Sequence, residues 1–359
     1  MKLLMLTRTI DADDWLAGHA YEWAKKLSSK LLAAGGSLVV ICLSKGNLGD
    51  LNAEVYSLGK ETGAGRLARL FAFIKLASKL VPKADGVFCH QNPEYTIAVW
   101  PWAKVYGKKI VSWYTHKSVT WKTRLMLKLS DKVLTASKES FRINSAKVKI
   151  VGHGIDTARF VPSESRRKTE GQKNEIFKII TVGRISPVKN LEVLIEAARI
   201  LAFEKQIWNF VVEIYGAAGL DSHKIYYEQL KKQVLEKDLD QYVHFKPPVP
   251  HSRIVSVYQN ASVFVNLSAT GSLDKAVLEA MSCEVPVVTS NEAFLEMLQP
   301  FEDNCLAKPN NPADLALKLK MLKELNLSDQ RALSANLRRI VLEGHSLDKL
   351  GSTILKAFK

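Results

Sequence analysis

Short apolar runs that alternate with amphipathic stretches, in two successive series, constrain this chain more than any other feature. The first series opens with "KLLMLT" and a helical pattern near 14–34, then "GSLVVICLS" and a long helical stretch at about 66–81. "GVFCH", a helix near 94–106, "KKIVSWYTH", a helix near 120–129, "KVLTAS" and "KVKIVGHGID" complete it. Apolar runs of this length, bounded by turn residues and separated by helices, predict a parallel, doubly wound sheet. After Val161 the text "PSESRRKTEGQKNEIF" is polar and has no period, which predicts a linker over 163–176. The pattern then restarts with "FKIITVGR", "NLEVLIEAARILAFE", "WNFVVEIYG", "YYEQLKKQVLEKD", "YVHFKP", "SVFVNLS" and "VPVVTS", followed by helices near 312–324 and 328–358. With 359 residues there is enough chain for two cores, so the reading is one domain over 1–162 and another over 177–340.

Composition narrows the class. At 47% apolar and 24% charged the chain reads as a folded protein, and no apolar run reaches the ~20 residues of a membrane span. "MKLLMLTRTIDADDW" runs into acids at once and offers no small-residue cleavage site, so it reads as a first buried strand and not as a signal peptide. Cys42, Cys89, Cys283 and Cys305 are scattered without metal or disulfide spacing, as expected of a cytoplasmic protein. Of the net charge of +15, residues 1–160 carry +13, with 25 Lys and Arg against 12 Asp and Glu. The first half is therefore expected to face something anionic, although ordinary solubility charge accounts for it equally well.

In such sheets ligands bind where loops leave the carboxyl ends of strands. "TVGRISPVKN" places Arg184 and Lys189 in one such loop before a helix, a cradle for a diphosphate or simply two cations on a solvated turn. "TGSLDKAVLEAMSCEVPVV", residues 270–288, predicts a helix from about Leu273, capped by Ser272 or Thr270, with amides at 272–275 free to meet an anion. Glu279 lies further along that helix among Val277, Leu278, Ala280 and Met281, suited to accept two hydrogen bonds from a sugar diol. The alternative is a surface pair with Lys275, four residues earlier. "DADD" at 11–14 contains an Asp-x-Asp, but directly after a strand it reads as helix capping by Asp13 or Asp14, and no metal is expected.

"GRISPVKN", "VGHGIDTARF" and "VLEAMSCEVPVV", in this order and spacing, resemble family four of the retaining, nucleotide-sugar-dependent glycosyltransferases (group 1, GT-B fold). "WLAGHAYEWAKKL" and "VSWYTH" are similar to the family's first helix and to its strand ending in a histidine, so the likeness spans nearly the whole chain. The resemblance implies two Rossmann-like domains facing across a cleft, with residues 341–359 forming a helix that crosses back to the first domain. It further implies that the backbone at Gly18 approaches the donor phosphates and that His116 meets the donor sugar near the reacting carbon. Arg184 and Lys189 would neutralise the leaving diphosphate, and Glu279 would bind the ribose hydroxyls. On residues alone His116 reads equally as a structural histidine, and His19, His90 and His153 rank below it. The likeness breaks where the family has a second Glu followed by Phe-Gly: here Gly271, Leu273 and Asp274 stand instead, so either amides near Ser272 and the Asp274 carboxylate take over, or the donor sugar differs from the usual hexoses, or activity has been lost.

The expectation is a hexosyltransferase that moves a sugar to an acceptor hydroxyl with retention, in glycan, glycolipid or cell-envelope synthesis. It needs no cofactor beyond the nucleotide-diphosphate sugar as co-substrate. The acceptor would be a glycan or a lipid-linked one. Residues 65–83, with Arg66, Arg69, Lys75 and Lys79 among Leu67, Leu70, Phe71 and Ile74, would touch an anionic membrane at its cytoplasmic face. The same stretch reads as a helix packed on the sheet with a basic outer edge. A catalytically silent nucleotide-sugar-binding protein and a sugar-nucleotide epimerase are the competing readings. No nucleic-acid-reading motif is present, and "YGAAGLD" lacks the spacing of a dinucleotide site.

Overall fold

The computed structural model describes all residues except 16–17, 165–175 and 270. The expected linker falls almost wholly on undescribed residues, and so does Thr270. The chain forms two compact units.

The first unit comprises Met1–Asp156, Pro250–Ser252 and His345–Lys359. Its strands are β1 (Lys2–Ile10), β2 (Ser37–Lys45), β3 (Glu54–Ser57), β4 (Gly86–His90), β5 (Lys109–Trp113), β6 (Lys132–Thr135) and β7 (Val148–Ile150). They pair in parallel in the order β3-β2-β1-β4-β5-β6-β7. The central strands β1, β2, β4 and β5 are almost wholly buried, which is why they read as continuous apolar runs and not as alternating ones. Helices Gly18–Ala33, Arg66–Leu80, Pro93–Val105 and Trp121–Leu129 connect them. The predicted helix at 14–34 begins at Gly18, where the Gly18 amide donates to the Asp14 carbonyl. β3 is a strand the sequence reading lacks; four residues at a sheet edge, none of them buried, leave no apolar run to find.

The last pieces of this unit come from far along the chain. The helical stretch expected at 328–358 is two helices, Leu327–Gly344 in the second unit and Leu347–Lys356 in the first. Between them Ser346 forms a parallel bridge with Ile155, Ile155 donates to the His345 carbonyl at 2.8 Å, and Leu347 donates to the Ile155 carbonyl at 2.8 Å. Leu347 and Leu350 fill the space beside Gly154, and the Phe358 ring sits against Gly86, where a Cβ would approach to 2.4 Å.

The second unit comprises Thr157–Val249 and Arg253–Gly344. Strands β8 (Phe177–Val182), β9 (Phe210–Tyr215), β10 (Val243–Lys246), β11 (Val263–Asn266) and β12 (Val287–Thr289) pair in parallel in the order β10-β9-β8-β11-β12. Arg338 joins its first residues to its core: Nη1 donates to the carbonyls of Phe160, at 3.0 Å, and of Ser282, while Ser282 Oγ donates to the same Phe160 carbonyl at 2.7 Å.

In both sheets the first strand lies inside the order, so the winding direction reverses beside it. The reversal falls between β1 and β4 in one unit and between β8 and β11 in the other. In parallel sheets the carboxyl ends of the strands beside such a reversal are where ligands are generally bound.

Candidate active site

In the second unit the loop after β8 runs from Gly183 to Asn190, and the loop after β11 from Leu267 to Asp274. The Ala269 amide donates to the Val188 carbonyl and Asn190 Nδ2 to the Leu267 carbonyl, each at 3.1 Å, so the two loops are fixed to each other. Asn190 takes the left-handed conformation (φ 48°, ψ 45°) that turns Pro187–Lys189 directly into the helix Leu191–Arg199. At Gly216 (φ 154°) a Cβ would lie 1.8 Å from the Gly183 carbonyl oxygen, so the loops after β8 and β9 touch through bare backbone.

Arg184 and Lys189, predicted as one cradle, share a loop but differ in state. Arg184 is exposed, its aliphatic stem lies against Gly219, and it makes no ion pair among the described residues. Lys189 is mostly covered and is paired: its Nζ stands 2.5 Å from Asp274 Oδ2. Asn266 Nδ2 donates to the same Oδ2 at 2.9 Å, and the Ala276 amide donates to Asp274 Oδ1 at 3.3 Å. Burial alone would raise the Asp274 pKa, but the Lys189 charge and the hydrogen bonds from Lys189 and Asn266 outweigh it and hold the carboxyl below its ordinary range.

The helix expected from Leu273 begins at Lys275, and its cap is Asp274, not Ser272. Ser, Asp and Thr are all competent caps; the contact with Lys189 85 residues away favours Asp274. Ser272 lends its carbonyl to the buried Asn291, whose Nδ2 donates at 2.9 Å. Leu273 is buried, and Lys275, half-buried, opens the helix. Gly271 has φ 61°, a conformation that side-chain-bearing residues rarely adopt, so the loop here could not take a Glu without strain.

Glu279 is 6% exposed, which sets aside the surface-pair reading. Tyr258, fully buried on the helix Val255–Gln259, donates its hydroxyl to Glu279 Oε2 at 2.9 Å. Desolvation, and then the neighbouring Glu279 charge, push the tyrosine pKa well above its ordinary value, so it stays a donor. Tyr258, Asn266 and Asn291, which hold Glu279, Asp274 and the Ser272 carbonyl, are residues of the candidate site that sequence reasoning missed.

In the first unit Gly18 opens its helix below the loop after β1, and a Cβ there would lie 2.6 Å from the His251 Cβ. His116, expected to close a buried strand, is exposed and lies three residues beyond the end of β5, its ring 5.6 Å from that of Tyr114. The histidine that does close a buried strand is His90, at the end of β4. It is 1% exposed, its Nδ1 is 3.0 Å from Thr7 Oγ1 on β1, and its ring is 4.9 Å from Trp23. The "DADD" acids serve the loop after β1: Asp11 Oδ1 accepts from the amides of Asp13 and Asn47, and Asp13 Oδ2 accepts from Asn47 Nδ2. Among the described residues no group of three or more His, Cys, Asp or Glu could hold a metal ion.

The structure thus gathers Arg184, Lys189, Ser272, Leu273 and Asp274 in adjoining loops of the second unit, with Lys275 and Glu279 in the helix that follows. Gly18 opens a helix of the first unit, and His116 stands on the loop after β5. Residues 162–339, which make up most of the second unit, match the model of the family "Glycosyl transferases group 1" and belong to that family. Among relatives, the D-inositol 3-phosphate glycosyltransferase of Thermomonospora curvata is 26% identical over 197 residues, 52% of this chain and 46% of that protein. A phosphatidylinositol N-acetylglucosaminyltransferase component of Arabidopsis thaliana is 27% identical over 173 residues, 48% of this chain and 36% of that protein. The chain spans about half the length of the curated relatives it matches, or less. Among solved structures, Anabaena HepE in complex with UDP and glucose has a TM-score of 0.76 at 17% identity, covering 99% of this chain and 98% of that one. The TarM structure also has a TM-score of 0.76, at 11% identity, covering 100% and 98%. The fold is the two-domain α/β arrangement of GT-B glycosyltransferases.

Proposed function

We propose that the protein is a glycosyltransferase that moves a hexose from a nucleotide-diphosphate sugar to an acceptor hydroxyl with retention of anomeric configuration. The observation that carries this reading is the concentration of Arg184, Lys189, Asp274 and Glu279 at the carboxyl ends of β8 and β11, where the sheet reverses its winding. Glu279, oriented by Tyr258, binds the ribose diol. Arg184 and Lys189 neutralise the charge that grows on the departing diphosphate, work that falls to fixed cations when no metal takes part. The Gly18 backbone approaches the phosphates, and His116 contacts the sugar near its reacting carbon. Solved HepE complexes hold UDP and UDP-glucose, which supports a nucleotide-sugar donor here.

The acceptor is a glycan or lipid-linked molecule of the cell envelope, met at the cytoplasmic face of the membrane. Relatives named for inositol 3-phosphate and phosphatidylinositol support an anionic acceptor, as does the basic first half. The helix Arg66–Leu80 supports contact with the membrane itself. It packs inward through Phe73, Ala77 and Leu80 and leaves Leu67 and Phe71 about 70% exposed, 72% and 69%, beside the exposed Leu70 and Ile74. No acid lies between Arg66 and Ala84. Among the described residues no helix is long and apolar enough to cross a bilayer.

A catalytically silent binder of nucleotide sugars is the second reading, favoured by Gly271 and by the engagement of Asp274 with Lys189. A thermal-shift screen with UDP-, GDP- and ADP-sugars separates the outcomes when followed by product analysis. Stabilisation by one donor, lost in both Arg184→Ala and Glu279→Ala, with transfer to an acceptor, is the expected result. Binding without transfer or hydrolysis would establish the silent form, and release of an isomerised sugar nucleotide an epimerase.

A further inference from the structure

Asp274 occupies the place where an anion would be held. Its Oδ2 takes Nζ of Lys189 and Nδ2 of Asn266, and its Oδ1 takes the Ala276 amide at the N-terminus of the helix Lys275–Ser282. A cation, a side-chain amide and a helix-terminal N–H converging on two oxygens is also how a phosphate group is gripped. Both partners of the ion pair are mostly covered, with 17% and 18% of the side chains exposed, so screening by solvent does little to loosen it. Arg184, by contrast, stands open in the same loop.

We propose that the Asp274 carboxylate is an internal stand-in for a donor phosphate, and that a nucleoside diphosphate binds by displacing it from Lys189. This rests on the donor-site reading above. In the free protein Asp274 satisfies Lys189 and the helix N-terminus. When the diphosphate arrives, Arg184 meets it first, and the Asp274 side chain turns away as Lys189 changes partner. Affinity is thereby reduced, because an existing ion pair must be broken before a new one forms. The same feature favours release of the nucleoside diphosphate after transfer, since the carboxylate is at hand to retake Lys189. Asp274 is a positioning residue in this scheme and touches neither sugar nor reacting atoms.

The test is calorimetric titration of UDP, GDP and ADP into the wild type, Asp274→Asn, Lys189→Met and the double variant. Asparagine has nearly the same shape, can still accept from the Ala276 amide and is itself a good cap, so the fold should survive. The expected result is that Asp274→Asn tightens the nucleotide that binds by about 10-fold or more, the range of one charge-assisted contact. In the Lys189→Met background the same change should have little effect. Weaker binding by Asp274→Asn would overturn the proposal and make Asp274 a direct ligand group. Unchanged affinity with a lowered melting temperature would overturn it too, and leave Asp274 a helix cap. If none of the three nucleotides binds any of these proteins, and Arg184→Ala likewise changes nothing, the donor-site reading itself has failed. Binding that Arg184→Ala abolishes but Asp274→Asn does not tighten refutes the stand-in alone.

Discussion

Glu279 depends on a residue that nothing in its own segment reveals. Its carboxylate is buried among apolar neighbours and held by the Tyr258 hydroxyl, 21 positions earlier. Tyr258→Phe takes one donor away from a buried, charged acceptor, which costs about 1–3 kcal/mol. The expected outcome is nucleotide affinity weakened roughly 5- to 10-fold together with a lower melting temperature, read by calorimetry and thermal denaturation. An affinity equal to that of the wild type would show that Tyr258 supports the fold and not the ribose grip. Arg184 and Lys189, by contrast, are legible because loop position and charge are local properties of "GRISPVKN". Asn266 ends an apolar strand, while Tyr258 and Asn291 sit in mixed stretches that read as ordinary turns and helix, and only tertiary packing brings Tyr258 to Glu279, Asn266 to Asp274 and Asn291 to Ser272.

Elements were legible to the extent that their apolar runs were continuous. The buried central strands stood out, whereas β3 and the break at His345–Ser346 did not. That break is made by side chains and backbone from another part of the chain. The His345 ring accepts the His153 amide through Nδ1 at 3.0 Å, and burial lowers its pKa to about 4. An unfolded histidine titrates near ~6.5, so between the two values the unfolded chain binds the extra proton. The stability due to a neutral His345 is therefore complete above about pH 6.5 and is lost as the pH falls towards 4, by at most about 3 kcal/mol. Melting temperatures of the wild type and His345→Asn, measured from pH 7.5 down to about 4.5, should converge as the pH falls. Curves that stay parallel would remove His345 from the acid response. The helix start at Lys275 was misplaced for a similar reason, since the choice among capping residues is made by Lys189 and not by the local text.

Across the whole molecule, the two-unit organisation and the parallel sheets were legible from alternation alone, while the exact division of the chain was not. Residues 345–359 join the first unit, where the family resemblance set a crossing helix over 341–359, whereas residues 250–252 join it although their sequence offers no sign of it. The charge imbalance between the halves was also visible, and the exposed stripe on Arg66–Leu80 gives it a surface. Sedimentation with vesicles rich in anionic lipid should carry the protein down at low salt, and neutral vesicles should not. Replacing Arg66, Arg69, Lys75 and Lys79 with Gln, or Leu67 and Phe71 with Ser, should each abolish co-sedimentation. Retention by both variants would rule the helix out as the contact, and self-association without vesicles, lost in Leu67→Ser/Phe71→Ser, would point to a second copy instead. The place where the first unit is completed also bears on how the chain is made. The groove beside Trp23, Gly86 and Gly154 is filled by Leu347, Leu350 and Phe358, which the ribosome delivers only after the entire second unit has been synthesised. The half that is translated first is thus the half that is finished last, and until then its apolar groove is open to whatever the cell brings to a nascent chain.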